Sequence, residues 1–97
     1  MRSKITIQNM PYITSEDAEK LIGVHFSQFE FTQMAENGSY VRLDCSDAGL
    51  EELYEDQEWE AGKCGGRYER ITNQIKLVEI LRKQYGLMYE ILVYVAW

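Results

Sequence analysis

The sequence has few of the residues on which catalytic and metal sites are usually built. It contains one histidine, His25, and two cysteines, Cys45 and Cys64, in 97 residues. The cysteines form no Cys-x-x-Cys pair and match no common zinc spacing, so we expect reduced thiols, no metal site and no cofactor. His25 lies in no motif typical of nucleophilic catalysis, and we expect it at the end of the first helix. We therefore expect no catalytic residues and a protein that is not an enzyme.

Long apolar runs and low-complexity segments are also absent. The longest apolar run, near the C-terminus, is interrupted by Glu90 and falls short of the ~18 residues that a membrane span needs. The first residues lack the apolar stretch of a signal peptide, so we expect a cytoplasmic protein that binds no membrane. Proline occurs once, at Pro11, and 45% of the residues are hydrophobic, which excludes a disordered chain. The composition predicts a single domain over residues 1–97.

Hydrophobic periodicity and capping residues predict alternating strands and helices. We expect strands at 4–8, 29–33, 41–45 and 89–97 and a three-residue hairpin loop at 36–38. Two helices are expected to begin near Thr14 or Ser15 and near Ser46 or Asp47. A third helix is expected after the flexible loop 61–66, with apolar positions at Ile71, Ile75, Val78, Leu81 and Tyr85. Glycines at 23 and 86 are expected to end the first and third helices, and the second helix is expected to run to about Trp59. The predicted fold is α+β and ferredoxin-like, βαββαβ. It has a four-stranded antiparallel sheet, two packed helices and an acidic helix inserted after the third strand.

The charge is distributed unevenly along the chain. The net charge is -6; residues 1–62 hold thirteen acidic and four basic residues, whereas residues 63–97 hold three acidic and six basic residues. The second helix carries an uninterrupted set of acids with no lysine or arginine among them: Asp47, Glu51, Glu52, Glu55, Asp56, Glu58 and Glu60. Like charges this close repel one another and lower the stability of the helix that carries them. The acidic helix is therefore the feature that most needs a functional explanation.

Two interpretations of the acidic helix are open. In the first, it is a solvated face that keeps a small protein soluble. In the second, it imitates nucleic-acid phosphates, of which each DNA strand presents one per ~3.4 Å of axis. On a helix, Glu51, Glu55 and Glu58 would follow one side at axial steps of roughly 6 and 4.5 Å, with Glu52 and Asp56 in a second row. Such rows can occupy a lysine- and arginine-lined groove that is built for nucleic acid.

The chain resembles a class of small inhibitors encoded by phages. Its size, its acidity, its α+β layout and its acid-only helix are similar to those of DNA-mimic proteins, including many anti-CRISPR proteins. The resemblance implies a basic nucleic-acid-binding protein complex as the partner, with the DNA groove of a CRISPR-Cas effector as the type case, in the host cell cytoplasm. The six basic residues of the C-terminal part depart from the most acidic members of the class, which implies that one face of the protein is used.

We therefore expect a non-enzymatic inhibitor that docks its acidic helix into such a groove and excludes nucleic acid. The net negative charge opposes direct binding of nucleic acid by the chain itself. Trp59 adds an aromatic side chain of the kind that anchors protein interfaces. The expected partner-binding residues are Asp47, Glu51, Glu52, Glu55, Asp56, Glu58, Trp59 and Glu60.

The alternative is a ferredoxin-like interaction module that uses the open face of its sheet. Its outward residues would bind a second copy or another protein, so the chain is expected to be a monomer or a homodimer. The residues expected on that face are Thr6, Gln8, Thr32, Met34, Tyr40, Arg42, Leu92 and Tyr94.

Overall fold

The computed structural model describes residues 11–29 and 40–94, which form an α+β fold. The described residues contain three α-helices, a three-stranded sheet and one short 3-10 helix, Phe26–Gln28. In chain order the strands and α-helices are β1 (Tyr12–Thr14), α1 (Ser15–Ile22), β2 (Tyr40–Asp44), α2 (Asp47–Glu60), α3 (Arg67–Tyr85) and β3 (Glu90–Tyr94). Within these residues, no helix has the length and apolar character required to span a bilayer.

The last strand of the chain lies at the centre of the sheet, in the order β1-β3-β2. β1 runs parallel to β3, with Tyr12 beside Leu92, and β2 runs antiparallel to it, with Tyr40 beside Tyr94. The prediction of a ferredoxin-like, four-stranded antiparallel sheet is therefore wrong. The sheet that the structure describes has three strands and is mixed.

The prediction failed in part because it placed no strand between Pro11 and the first helix, whereas β1 starts immediately after that residue. The carbonyl of Pro11 accepts a hydrogen bond from the Leu92 N–H at 3.0 Å. Because this bond uses the carbonyl and not the missing N–H, proline is compatible with the start of a strand. The predicted strand at 4–8 and the predicted hairpin loop at 36–38 lie outside the described residues.

The second source of error is the apolar run in β3. Leu92 was expected on the outward face of the sheet, but Leu92 and its neighbours Ile91 and Val93 are all fully buried. A run of consecutive apolar residues is typical of a central strand that is covered on both faces. The interaction-module alternative placed Leu92 on the face that would bind a second copy. Because Leu92 is buried, Leu92→Asp would place a charge in the interior and would test folding and not self-association.

The helices are largely as predicted, because their end signals are local. The Thr14 hydroxyl accepts from the Asp17 N–H at 3.1 Å, and the Asp17 carboxylate accepts from the Thr14 N–H at 3.2 Å, which forms a capping box at the start of α1. Gly23 and Gly86 end α1 and α3 with φ of 86° and 68°, the left-handed conformation expected of them. α3 begins at Arg67, directly after the predicted loop at 61–66.

The core lies between the sheet and the helices. The described residues that form it include Val41 and Leu43 of β2, Ile91 and Val93 of β3, Ala18 of α1, and Leu77, Val78 and Leu81 of α3. Leu50 and Leu53 of α2 pack against its edge. α3 is therefore the central helix, and α2 lies on the outside of it.

Candidate partner-binding surface

The start of α2 is set by a tight junction with β2. The Asp44 carboxylate accepts from the Ser46 N–H at 3.0 Å, and the Ser46 hydroxyl accepts from the Gly49 N–H at 3.2 Å. Gly49 is buried so close to β2 that a Cβ atom added to it would lie 2.3 Å from the Asp44 carbonyl oxygen. Only glycine fits this position without movement. The sequence interpretation did not identify Gly49, although a glycine in the first turn of a helix is a recognisable signal.

One side of α2 is held against α3 by apolar and polar contacts. Leu50 and Leu53 reach the core edge, and the Gln57 amide donates to the Thr72 hydroxyl at 2.8 Å. The Tyr54 hydroxyl donates to the Glu79 carboxylate at 2.5 Å, and this hydrogen bond is the main reason that the pKa of Tyr54 is raised. These contacts fix the orientation of α2 on α3, so the opposite side of α2 faces solvent.

The acids at the two ends of α2 are neutralised by bases that lie outside this helix. Asp47 pairs with Arg82 at 2.7 Å. Glu60 is only 8% exposed and pairs with Arg67 at 2.9 Å and with Lys63 at 4.0 Å. Of the expected partner-binding residues, Glu60 is therefore buried and paired with two partly exposed bases, and Asp47 is engaged in an exposed ion pair. Sequence reasoning missed this pairing, because it counted charges along the helix alone.

The middle of α2 is different, since its acids are exposed and unpaired. The structure gives none of these five side chains an ion-pair or hydrogen-bond partner among the residues it describes: Glu51, Glu52, Glu55, Asp56 and Glu58. We call these five residues the acidic face. By the helical period, Glu51, Glu55 and Glu58 form one row. Glu52 and Asp56 form a second row, about 100° away around the helix axis.

Trp59 stands between the two rows of the acidic face, at the C-terminal end of α2. Its side chain is 72% exposed, the highest fraction among the exposed large hydrophobic residues that the structure describes. The Lys63 ammonium lies 4.6 Å from the ring centroid, a cation–π contact that orients the indole. The surface that combines carboxylates with an aromatic side chain is thus contiguous, and it is held on a rigid helix.

The remaining chemistry-bearing residues have local structural roles. His25 was expected at the end of α1, but it lies beyond that helix. Its Nδ1 accepts a hydrogen bond from the Ser27 N–H at 3.2 Å and caps the 3-10 helix. Cys45 is buried and Cys64 is exposed, and both thiols are free. Across residues 11–29 and 40–94, no group of three or more histidine, cysteine, aspartate or glutamate side chains is placed to hold a metal ion.

Two further polar residues connect the elements and were not anticipated. The Arg82 guanidinium donates to the Cys45 carbonyl at 2.7 Å as well as to Asp47, and so joins α3 to the β2–α2 junction. The amide of Asn73, a buried residue, donates to the Gln28 carbonyl at 2.8 Å and so joins α3 to the 3-10 helix. Both residues thus hold α3, the helix on which α2 packs, to neighbouring parts of the fold.

Burial of the Cys45 thiol predicts a loss of stability in alkaline solution. Burial raises the pKa of Cys45 from 9.0 to about 11, so the unfolded chain ionises first as the pH rises. The contribution of this thiol to stability is complete below pH 9.0 and is lost as the pH rises through about 11. We expect the stability advantage of the wild type over Cys45→Ala, measured by urea unfolding, to shrink over this range. A difference for Cys45→Ala that stays constant over this range would contradict the burial of the Cys45 thiol.

Comparison of the chain with protein-family models, with curated proteins and with solved structures finds no match. The acidic face and Trp59 are therefore the features of the described residues that bear on function.

Proposed function

We propose that this chain is a non-enzymatic inhibitor whose acidic face occupies the nucleic-acid-binding groove of a basic protein complex. The type case is the DNA groove of a CRISPR-Cas effector, as in the anti-CRISPR proteins that the chain resembles. The observation that carries the proposal is that the five acids of the acidic face are exposed and unpaired. The chain nevertheless uses its own bases to neutralise both ends of the same helix.

The placement of these acids is costly for stability, which favours a function over simple solubility. Glu51 and Glu55, Glu52 and Glu55, Glu52 and Asp56, and Glu55 and Glu58 are neighbours three or four residues apart on the helix. Each such like-charge pair destabilises a helix by roughly 0.2–0.5 kcal/mol. The same number of acids spread over the surface would keep the protein soluble without this cost. A functional requirement for negative charge at this one surface explains why the acidic residues are clustered on α2.

The geometry of the acidic face suits a groove that binds a charged backbone. Neighbouring carboxylates within a row are separated by axial steps of roughly 4.5–6 Å. A helix that is held on α3 by Gln57 and Tyr54 loses little conformational freedom on binding, so more of the interaction energy remains for affinity. Attraction between this face and a basic groove would also accelerate association. Trp59 would supply the aromatic anchor.

The test captures partners from a bacterial lysate with the tagged protein and then adds target DNA. We expect a nucleic-acid-binding complex to be captured, to be released by DNA, and to bind at least about tenfold more weakly as salt rises from ~0.05 to ~0.2 M. Glu51→Lys/Glu55→Lys should abolish capture. Glu16→Lys/Glu69→Lys is the matched control, because it changes the net charge equally at exposed positions outside α2.

The comparison between the two variants decides the outcome, once circular dichroism has shown that both are folded. Capture by wild type and by the Glu16→Lys/Glu69→Lys control, but not by the α2 variant, would locate the binding surface. Capture of the same complex by all three proteins would contradict the proposal. Capture that DNA does not reverse would contradict mimicry of nucleic acid.

A further inference from the structure

A second surface lies between α1 and α3 and is chemically opposite to the acidic face. It is a groove of about 390 Å³ with an apolar floor formed by Leu21, Ile22 and Ile80. The exposed Lys76 and Lys83 stand on its α3 side. Glu79 also borders the groove, and its carboxylate accepts a hydrogen bond from the Tyr54 hydroxyl of α2. We refer to this feature as the lysine groove.

We propose that the lysine groove binds the acidic face of α2 from a second copy of this chain. The charges are complementary, since two exposed ammonium groups would meet exposed carboxylates that have no partner among the described residues. The spacing also matches: Lys76 and Lys83 are two helical turns apart, about 10.5 Å, as are Glu51 and Glu58. Trp59, adjacent to Glu58, is the apolar side chain that would cover the floor of the groove.

The occupant has to be another molecule, because α2 is unable to enter the groove of its own chain. Its other side is already packed on α3 through Leu50, Leu53 and Gln57. Each copy then offers one acidic face and one lysine groove, and the contact joins two different surfaces. A contact of this kind is heterologous, so it produces open head-to-tail assemblies unless the rotation closes a ring. This inference does not depend on the proposed function, since its test contains no other protein.

Moderate salt is the condition that favours the contact. The net charge of -6 makes whole molecules repel one another at low ionic strength. At ~0.1 M salt the screening length is about 10 Å, which weakens this long-range repulsion while charges in contact still attract. At ~1 M the length is about 3 Å, and the contact charges are screened as well.

Sedimentation equilibrium of the purified chain tests the proposal. The average mass of the wild type should rise with concentration at ~0.1 M salt, and the association should weaken at least about tenfold at ~1 M. Lys76→Gln/Lys83→Gln removes the groove charges, and Glu51→Gln/Glu58→Gln removes the matching carboxylates. Each variant alone should remain monomeric where the wild type assembles. All four positions are exposed, and circular dichroism checks that the variants are folded.

Mixing the two variants provides the decisive result. One variant has an intact acidic face and the other an intact lysine groove, so the mixture should form a one-to-one complex and nothing larger. A wild type that stays monomeric at all concentrations would overturn the proposal. So would a variant that assembles as the wild type does, because the interface would then lie elsewhere. A mixture that forms no complex would overturn it too.

Discussion

Replacing Gly49 with alanine should destabilise the protein by about 3 kcal/mol, at the upper end of what overpacking of a core costs. The added Cβ would lie 2.3 Å from the Asp44 carbonyl oxygen and 2.6 Å from the Asp44 Cγ, so β2 and α2 would have to separate. In an exposed helix the same change is favourable by about 1 kcal/mol, because alanine has the higher helix propensity. The sign of the effect therefore reports on the contact with β2. Chemical unfolding followed by circular dichroism measures it.

Gly65 provides the matched control for this substitution. It lies in the loop between α2 and α3, and an added Cβ would meet no atom within 4 Å. Gly65→Ala should therefore leave stability unchanged or raise it by about 0.4–1 kcal/mol, because the unfolded chain becomes less flexible. If Gly49→Ala were as stable as Gly65→Ala, the close junction between β2 and α2 would be contradicted. The orientation of the acidic face would then need another explanation.

The second large effect is expected on removal of the Arg82 side chain. Arg82→Met should cost about 2 kcal/mol, because the carbonyl of Cys45 loses its charged donor at 2.7 Å. The side chain of Arg82 is only 16% exposed, so water replaces this donor poorly. The ion pair with Asp47 contributes much less, since the Asp47 side chain is 93% exposed. Urea unfolding of the variants measures both contributions.

Two control variants separate these contributions. Asp47→Asn removes the ion pair and retains the carbonyl contact, and it should cost about 0.5 kcal/mol. Lys83→Met changes an exposed neighbour of the same charge and should be close to neutral, within about 0.5 kcal/mol. Equal losses for Arg82→Met and Asp47→Asn would show that the ion pair, and not the hydrogen bond to Cys45, joins α3 to α2.

The sheet was harder to predict than the helices for a physical reason. Capping depends on residues three or four positions apart, so Thr14, Asp17 and Ser46 could be identified locally. Strand pairing depends on partners distant in sequence, and β1 is only three residues long. Its pairing with Leu92 and the two-sided burial of β3 became visible only when the chain was folded.

The sequence by itself determined which residues of this protein carry charge and that the acids of α2 spread over most of the helix surface. Periodicity alone also placed the five acids of the acidic face in two rows. The tertiary structure decided which acids are free: packing of α3 against α2 brings Arg82 to Asp47 and Arg67 to Glu60. Ion pairing acts over a few ångströms in space, and that proximity depends on how distant segments pack.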